Sequence, residues 1–331
     1  MGHRRYSPAT VTPPLLQLTN VAKRFGYFPA LRGVSFELQE AQVFGYIGPN
    51  GAGKTTTLKI LAGLLHEFEG TVHIAGKEVP LHRGAVQDVI GFLPQNAGFQ
   101  QWRTSESALR SLGLLSGVAP KVLDERITMW LERFGLADKR HVKIKKLSGG
   151  MVQKLGLIQA LLHEPKLLIL DEPLAGLDPI SRNEVKALVR ECRARGTSVL
   201  FSSHILSDVE DVADSVGILH AGSLLKSGTI DALRSELPVD IEIEFSVVPT
   251  FSVPLEEHQA VESVGKTTEQ SAVYRIVDGA DVDDVLHSFV ERTLAAGGRI
   301  RRLGVVHPDL DGLYAEYISK ADQQQRAKRA K

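Results

Sequence analysis

The residues whose types and spacing can do chemistry start with a glycine-rich run. Residues 48–56 read GPNGAGKTT and match the pattern G-x-x-x-x-G-K-[ST], between an apolar run and a helical pattern. Glycines allow such a loop to wrap and to point its N–H groups at phosphate oxygens, and the dipole of the following helix favours the same anion. The sequence therefore predicts a phosphate-binding loop that consists of Gly48, Pro49, Asn50, Gly51, Ala52, Gly53, Lys54, Thr55 and Thr56.

Three side chains of this loop have separate expected roles. Lys54 is expected to hold the β- and γ-phosphates of a nucleotide. The hydroxyl of Thr55 is expected to coordinate Mg²⁺, and Thr56 to bond a phosphate oxygen. The predicted ligand is therefore a nucleotide together with Mg²⁺.

A second acidic element follows later in the chain. Residues 167–172 read LLILDE, a buried strand that ends in two adjacent carboxylates. Asp171 is predicted to hold Mg²⁺, directly or through water, and Glu172 to polarise an attacking water as a general base. Such a strand end on its own is usually a solvated acidic turn. Its pairing with a phosphate loop favours the catalytic interpretation.

Phosphate loops of this type also occur in GTPases and in small-molecule kinases. A GTPase needs a guanine-reading N-K-x-D element, which this sequence lacks. A kinase needs an acceptor site, and no candidate for one can be identified. Residues outside the two motifs must therefore distinguish these classes.

The elements that must position these residues alternate between strands and helices. Thr104 and Asp178 are candidate helix N-caps, and Pro120 and Pro179 suit the first helical position. The alternation indicates an α/β fold with a mostly parallel sheet. The predicted helices cover residues 54–65, most of 105–140 and a stretch that starts at 178–179. The predicted strands are Leu15–Leu18, Val34–Leu38, Gln42–Ile47, Thr71–Ile74, Leu167–Leu170 and Thr197–Ser202.

The composition shifts near residues 236–238, which read ELP. Beyond this point the pattern predicts a small α+β domain of about ninety residues. The predicted strands are 241–247, 272–277 and 300–306, and the predicted helices are 281–294 and 309–318. No catalytic constellation is recognisable in this part of the chain, since His307 beside Asp309 is too little for a metal site.

Composition excludes several classes of protein. Lys plus Arg equals Asp plus Glu at 39 each, which argues against a dedicated nucleic-acid binder. No apolar run approaches the roughly 20 residues that span a bilayer. The single cysteine, Cys192, cannot form an intramolecular disulfide, and we expect it to be a buried, inert thiol. The expected protein is soluble and cytoplasmic.

Residues 147–151 read LSGGM and precede an apolar helical pattern, after the phosphate loop and before LLILDE. This arrangement resembles the signature motif of ATP-binding-cassette (ABC) ATPases. The resemblance implies that Ser148, Gly149 and Gly150, at a helix N-terminus, bind the γ-phosphate of ATP held by the opposite subunit. Met151 and Lys154 depart from the usual Gln and Arg. Activity is still expected, because the glycine amides and Ser148 carry the phosphate contact.

Three more residues match family elements in order. Gln95, in GFLPQN, matches the glutamine loop that senses Mg²⁺ and the attacking water and so counts as a metal candidate with Thr55 and Asp171. Asp178, in GLDP, matches the loop that communicates across the dimer. His204, in FSSHIL, matches the switch histidine that contacts the γ-phosphate.

An aromatic side chain is expected on the adenine base. Phe25, in KRFG, matches the family's stacking residue, and Tyr27 and Phe28 lie close enough in sequence to be alternatives. An aromatic residue here can also belong to the core.

The resemblance implies a P-loop NTPase fold of ABC type. This fold has a mostly parallel sheet core, an antiparallel β subdomain and a helical subdomain, here joined to a small C-terminal α+β domain. The expected boundaries are a flexible tail over 1–14, a nucleotide-binding domain over 15–235 with its helical subdomain at about 96–160, an accessory domain over 236–320 and a basic flexible tail over 321–331.

The resemblance also implies a function. The chain is expected to bind ATP and Mg²⁺, to hydrolyse ATP to ADP and phosphate, and to energise a membrane transporter. The order of motifs and the extra C-terminal domain resemble the bacterial drug- and antibiotic-resistance exporters.

The expected partners follow from the same resemblance. They are an integral-membrane permease, met through residues 96–118, and a second nucleotide-binding subunit, a copy of this chain or a paralogue. Trp102 can serve as a partner contact or as simple packing. The protein is expected to be cytoplasmic and peripheral on the inner face of the cell membrane, without nucleic acid.

Two other functions compete with transport. One is a soluble ABC ATPase that acts on ribosomes or nucleic acid. The other is a non-catalytic, ATP-gated regulator, which the presence of Glu172 and His204 opposes.

Overall fold

The computed structural model describes residues 13–79, 86–237, 239–248, 261–268, 270–276, 281–306 and 309–329. The chain divides into two compact units, the first ending at Thr229 and the second beginning at Ile230. Most of the tail predicted over residues 1–14, as well as Val277 and His307, lies outside the described residues.

An antiparallel sheet in the first unit carries the predicted strands at 15–18, 34–38 and 71–74. Its order is β2-β1-β4-β5, and Leu16 pairs with both Leu38 and Ile74. One face of this sheet is apolar, because alternate side chains of a strand point to the same face. Leu16 and Leu18 of β1 and Val34 of β2 are buried there. The strands are β1 (Leu16–Phe25), β2 (Phe28–Leu38), β4 (Glu69–Ile74) and β5 (Lys77–Val79).

A second, mostly parallel sheet forms the centre of the first unit. Its order is β10-β9-β3-β8-β7-β6, and only the β9–β10 pair is antiparallel. All residues of β3, β7 and β8 are buried, which explains why β3 and β7 are apolar throughout and why β8 has an apolar centre. The strands are β3 (Val43–Ile47), β6 (Ile90–Leu93), β7 (Leu167–Leu170), β8 (Ser198–Ser203), β9 (Ser215–His220) and β10 (Ser223–Thr229).

Among the described residues of the first unit, the α-helices given below follow these strands or connect them. Thr104 caps its helix as predicted, accepting a hydrogen bond from Ser107 N at 3.2 Å, and Pro120 begins the next helix. The first helix ends at residue 61 rather than 65, because Gly63 has a φ of +69° that a helix does not allow. The helices are α1 (Lys54–Leu61), α2 (Ser105–Leu115), α3 (Pro120–Arg133), α4 (Gly149–Leu161), α5 (Pro179–Ala194) and α6 (Leu206–Glu210).

The second unit is an α+β arrangement around one antiparallel sheet of order β12-β13-β11-β14. Ile241, Ile243 and Phe245 of β11 share its core with Phe289. Its elements are α7 (Ile230–Ser235), β11 (Asp240–Val247), β12 (Val261–Thr268), β13 (Ser271–Ile276), α8 (Val282–Ala295), β14 (Arg299–Val306) and α9 (Leu310–Arg329).

Helix α9 continues through Arg329, so residues 321–329 are helical where the sequence analysis expected a flexible tail. The segment ADQQQRAKR consists largely of good helix formers and contains neither Gly nor Pro, so nothing local ends the helix. Within the described parts of the chain, no helix is both long and apolar enough to cross a bilayer.

The predicted fold class is confirmed. A mostly parallel sheet, a separate antiparallel sheet and a helical segment make up the first unit, and a small α+β unit follows. Parallel strands bring their carboxyl ends to one edge of the sheet. Loops that are far apart in sequence, after β3, β6, β7 and β8, therefore meet there.

Candidate functional site

The glycine-rich loop leaves the carboxyl end of β3 and enters α1. At Gly48, a Cβ atom would lie 2.3 Å from the carbonyl oxygen of Leu219. Gly53 caps α1 with a φ of +111°, and its Cβ would lie 2.8 Å from the oxygen of Ala30. Gly48 needs glycine for steric reasons and Gly53 for steric and conformational reasons, so the loop can fold against β9 and β2 only with glycine at these two positions.

Lys54 lies at the centre of this loop with 6% of its surface exposed. Its Nζ donates hydrogen bonds to the carbonyl oxygens of Gly48, at 2.7 Å, and Pro49, at 3.3 Å. The same Nζ lies 3.4 Å from Oε1 of Glu172. The cation is therefore held beside the loop amides and an acidic residue 118 positions later in the chain.

Asp171 and Glu172 directly follow β7, and Ser202 of the neighbouring β8 connects them. The Ser202 hydroxyl donates to Oδ1 of Asp171 at 2.7 Å and accepts a hydrogen bond from the backbone N–H of Glu172 at 2.9 Å. Both acidic side chains are buried. Because β7 and β8 pair in parallel, a serine at this register holds the carboxylate of Asp171 and the backbone of Glu172 at once.

Glu172 also contacts a histidine. Its Oε2 lies 2.8 Å from Nδ1 of His204, which directly follows β8. The backbone of Glu172 has a φ of +52°, a left-handed conformation that costs free energy in a non-glycine residue. Gln153 of α4 supports this turn, since its Nε2 donates to the oxygens of Glu172, at 3.4 Å, and Pro173, at 3.3 Å.

These groups border a cleft of about 470 Å³, which lies within the usual size range of small-molecule sites. Two exposed aromatic rings, Phe25 and Phe28, border the same cleft as Lys54. A nucleotide combines the matching chemistries, a flat base and a polyphosphate. The residues that line the cleft are Phe25, Phe28, Ala30, Pro49, Asn50, Gly51, Gly53, Lys54, Thr55, Thr56, Gln95 and Glu172.

The oxygen-bearing side chains suit a hard divalent cation. Thr55 and Gln95 line the cleft, and the buried Asp171 carboxylate lies at the same sheet edge. Mg²⁺ prefers such oxygen donors and keeps several waters, so few protein ligands are needed. In the described part of the chain, no group of three or more His, Cys, Asp or Glu side chains could hold a metal by itself.

Eight sequence-predicted residues do not line this cleft. Gly48, Ala52, Asp171 and His204 belong to the loop and to the hydrogen-bonded groups described above, and the other four are Ser148, Gly149, Gly150 and Asp178. Ser148 caps α4, accepting a hydrogen bond from Met151 N at 3.3 Å, and Ser148 and Gly149 are exposed beside the half-buried Gly150. Asp178 caps α5 and is exposed. Hydrogen bonds from the backbone and hydroxyl of Ser181 hold the pKa of Asp178 below its usual value. All four lie on surface that a second molecule can reach.

Two residues of the site were missed by sequence reasoning. Ser202 precedes His204 by two positions, in the motif FSSHIL, and Gln153 follows LSGGM by two. Ser202 lies within a recognised motif and Gln153 just after one, but the role of each depends on a partner 19 to 31 residues away. The alternative aromatic, Phe28, lines the cleft together with Phe25, whereas Tyr27 is fully exposed.

Comparison with known proteins identifies relatives across most of the chain. The sequence model of the ABC transporter family matches residues 31–175. The uncharacterized ABC transporter ATP-binding protein YxlF of Bacillus subtilis (strain 168) is 38% identical over 264 residues, which are 80% of this chain and 87% of that protein. The linearmycin resistance ATP-binding protein LnrL of the same organism is 30% identical over 301 residues, covering 91% of this chain and 97% of the relative.

A solved structure agrees with these matches. It is the structure of an ATP-binding subunit of an ABC transporter, with a TM-score of 0.64 and 30% identity. The similarity covers 67% of this chain and 92% of that chain.

Proposed function

The chain belongs to the family of ABC transporter ATP-binding proteins, and we propose that it hydrolyses ATP to drive a transporter whose permease is a separate protein. The observation that carries this proposal is the contact of Glu172 with Lys54 on one side and His204 on the other, beside the phosphate loop. A non-catalytic nucleotide binder does not need a buried carboxylate between two such groups. The relative in linearmycin resistance favours export as the direction of transport.

Each side chain has a role in the proposed reaction. Lys54 and the loop amides bind the phosphates, and Phe25 or Phe28 stacks on the base. Glu172 accepts a proton from the attacking water while the new P–O bond forms and the bond to ADP breaks. His204 orients Glu172 and contacts the γ-phosphate. Thr55, Gln95 and Asp171 would hold Mg²⁺, which supplies positive charge that stabilises the transferring phosphoryl group.

The exposed Ser148, Gly149 and Gly150 support a second part of the proposal, a dimer. These residues present a capped helix N-terminus, an arrangement suited to an anion, away from the cleft of their own chain. We propose that they complete the ATP site of a second subunit, in the simplest case another copy of this chain, and that Asp178 lies at the same interface. ATP binding would then close the dimer and hydrolysis would reopen it.

Apolar surface near Gln95 supports coupling to a permease. Trp102 is 65% exposed and Leu115 is 84% exposed, and both lie within residues 96–118. Exposed large side chains of this type are enriched at protein interfaces. We propose that this surface contacts the permease and holds the protein at the inner face of the cell membrane, with Trp102 as a contact residue. In this proposal residues 15–235 form the nucleotide-binding domain and 236–320 the accessory domain.

The first test is hydrolysis by the purified protein. Wild type is expected to release phosphate from ATP with Mg²⁺, and Glu172→Gln to reduce kcat by two to four orders of magnitude, as expected for loss of a general base. Glu172→Gln with ATP is also expected to run as a dimer in light scattering. Glu184→Gln is the control, because Glu184 is partly exposed and pairs with Lys154 on the helices α4 and α5. Equal turnover in wild type and Glu172→Gln would contradict the catalytic assignment.

The second test concerns transport. The tagged protein is purified from native membranes in mild detergent, and its companions are identified. A stoichiometric membrane protein with several spans is the expected companion, and Trp102→Ala together with Leu115→Ala should reduce its recovery. Ribosomal proteins or nucleic acid in its place would favour the soluble alternative and overturn the transport proposal.

A further inference from the structure

A row of basic residues on α5 faces an acidic segment that follows His204. Arg182, Lys186 and Arg190 are spaced four residues apart and so lie along one side of the helix. Arg182 pairs with Asp208, and Lys186 Nζ lies 2.7 Å from Oδ1 of Asp208. The same row reaches further along the segment, since Lys186 is 2.6 Å from Oδ2 of Asp211 and Arg190 donates to the carbonyl oxygen of Asp211 at 2.9 Å.

The part of this row around Asp208 is buried. Asp208 is 3% exposed and Lys186 is 9% exposed, whereas the Asp211 side chain is 53% exposed. Burial by itself lowers the pKa of Lys186, but the hydrogen bonds to Asp208 and Asp211 outweigh it and the pKa is raised. Lys186 therefore carries its charge in this environment, and Asp208 accepts bonds from two cations at once.

Such buried ion pairs stabilise a fold little, because the desolvation of the charges offsets most of their attraction. Apolar side chains of similar size would hold α6 against α5 about as well. Arg182 and Lys186 bond the Asp208 carboxylate from two fixed directions, and this defines the position of α6.

The position of α6 affects the proposed active site through His204. Asp208 lies in α6, four residues after His204, and α5 itself begins at the Asp178 cap. His204 is exposed on one side, so its imidazole depends on the backbone around it for placement against Glu172. Ser203 and Ile205, on either side of His204, are joined by two hydrogen bonds. The Ser203 hydroxyl donates to the oxygen of Ile205 and accepts from the N–H of Ile205.

We propose that Asp208 is a positioning residue, which acts through Arg182 and Lys186 to hold α6 and thereby keeps His204 in contact with Glu172. The inference rests on the proposed ATPase function. The ion pairs of Asp208 also connect α5, the helix that Asp178 caps, with the segment that carries His204. A change at Asp178 or at His204 can therefore reach the other residue through α5.

The test compares Asp208→Asn with Asp211→Asn by phosphate release from radiolabelled ATP, which measures slow turnover. Asp211 is the matched control because it shares Lys186 but does not bond Arg182. We expect Asp208→Asn to lower kcat at least tenfold with KM for ATP within twofold of wild type. Asp211→Asn should keep kcat within twofold, and Asp208→Glu, which retains the charge, should recover most of the activity.

The decisive measurement repeats Asp208→Asn in a His204→Ala background. If Asp208 acts through His204, adding Asp208→Asn to His204→Ala changes kcat by less than twofold, because effects of residues that act as a unit do not add. A further tenfold loss in that background, or a matching loss of nucleotide affinity, would show a general structural role and overturn the inference.

The remaining outcomes separate this inference from the proposed function. Normal turnover in Asp208→Asn beside impaired turnover in His204→Ala overturns the positioning role alone. Normal turnover in His204→Ala contradicts the catalytic role of His204 and removes the basis of the inference with it. If the wild-type protein does not hydrolyse ATP, the proposed function fails and the inference loses its basis.

Discussion

The buried carboxylate of Glu172 lies 3.4 Å from the ammonium of Lys54, so an ion pair crosses the cleft between the phosphate loop and the end of β7. Both side chains are more than nine-tenths buried, and each charge has a partner within the chain. A nucleotide phosphate that reaches Lys54 must therefore share this cation with Glu172. The arrangement places the proposed base next to the group on which the reaction occurs.

Lys54→Ala tests the phosphate loop. The substitution removes the cation that the loop holds beside Glu172, so we expect ATP binding to weaken at least tenfold, which corresponds to about 1.4 kcal/mol. Titration with a fluorescent ATP analogue measures the affinity. Lys59→Ala is the control on the same helix, because Lys59 is exposed in its last turn. Undiminished affinity in Lys54→Ala is the result that contradicts the loop assignment.

Ser202→Ala tests the connection between β7 and β8. It removes hydrogen bonds to Asp171 and to the backbone of Glu172, both buried, and we expect a loss of about 1–3 kcal/mol in the free energy of unfolding. Because Asp171 is also a proposed Mg²⁺ ligand, kcat should fall and the Mg²⁺ concentration for half-maximal activity should rise.

Ser198→Ala provides the comparison for that substitution. Ser198 is buried at the other end of β8, and its hydroxyl donates to the oxygen of Gln39. Urea denaturation should show a loss of stability in both variants. Only Ser202→Ala should change the Mg²⁺ dependence, and a similar change in Ser198→Ala would mean that the dependence reflects general destabilisation.

Gly149→Ala tests the role proposed for the exposed signature residues. A Cβ at Gly149 meets no atom within 4 Å in this chain, so folding and nucleotide affinity of the isolated subunit should not change. In an ATP-closed dimer the methyl group would face the partner's phosphate. We therefore expect slower hydrolysis and, in a Glu172→Gln background, weaker ATP-dependent dimerisation in light scattering. If Gly149→Ala leaves the ATP-dependent dimerisation of Glu172→Gln unchanged, the surface around Gly149 is excluded from the interface.

Asp178→Ala tests the cap of α5 through its pH dependence. Hydrogen bonds from Ser181 lower the pKa of Asp178 in the folded state, so the stabilisation is present above the unfolded-state pKa of about 3.9. It is lost as the pH falls through the lower, folded-state pKa. The difference in urea midpoint between wild type and Asp178→Ala should therefore be largest near neutral pH and shrink in acid, and a difference that grows in acid would contradict the cap.

Much of the fold was predictable because its signals are local. Strands β3 and β7 are continuous apolar runs, β8 has the apolar centre Val199–Phe201, and the caps Thr104 and Asp178 bond within their own first turns. Strands β5, β6, β9, β10 and β12 were not predicted. In β10 most residues are partly exposed, and β6 has only four residues, so neither carries a clear period. The polar segment over 321–329 was assigned to a tail because it has no apolar stripe, yet its residues are good helix formers.

The sequence by itself determined the phosphate loop, because the glycines, Lys54 and Thr55 are contiguous and their conformation is set by neighbours in the chain. It also placed Asp171, Glu172 and His204 at strand ends. Only the tertiary structure decided that Ser202 joins the Asp171 carboxylate to the backbone of Glu172, that Glu172 lies between Lys54 and His204, and that Asp208 is bonded to α5. The physical reason is that parallel pairing sets register across residues far apart in the chain, and a hydrogen bond needs its partners within about 3 Å.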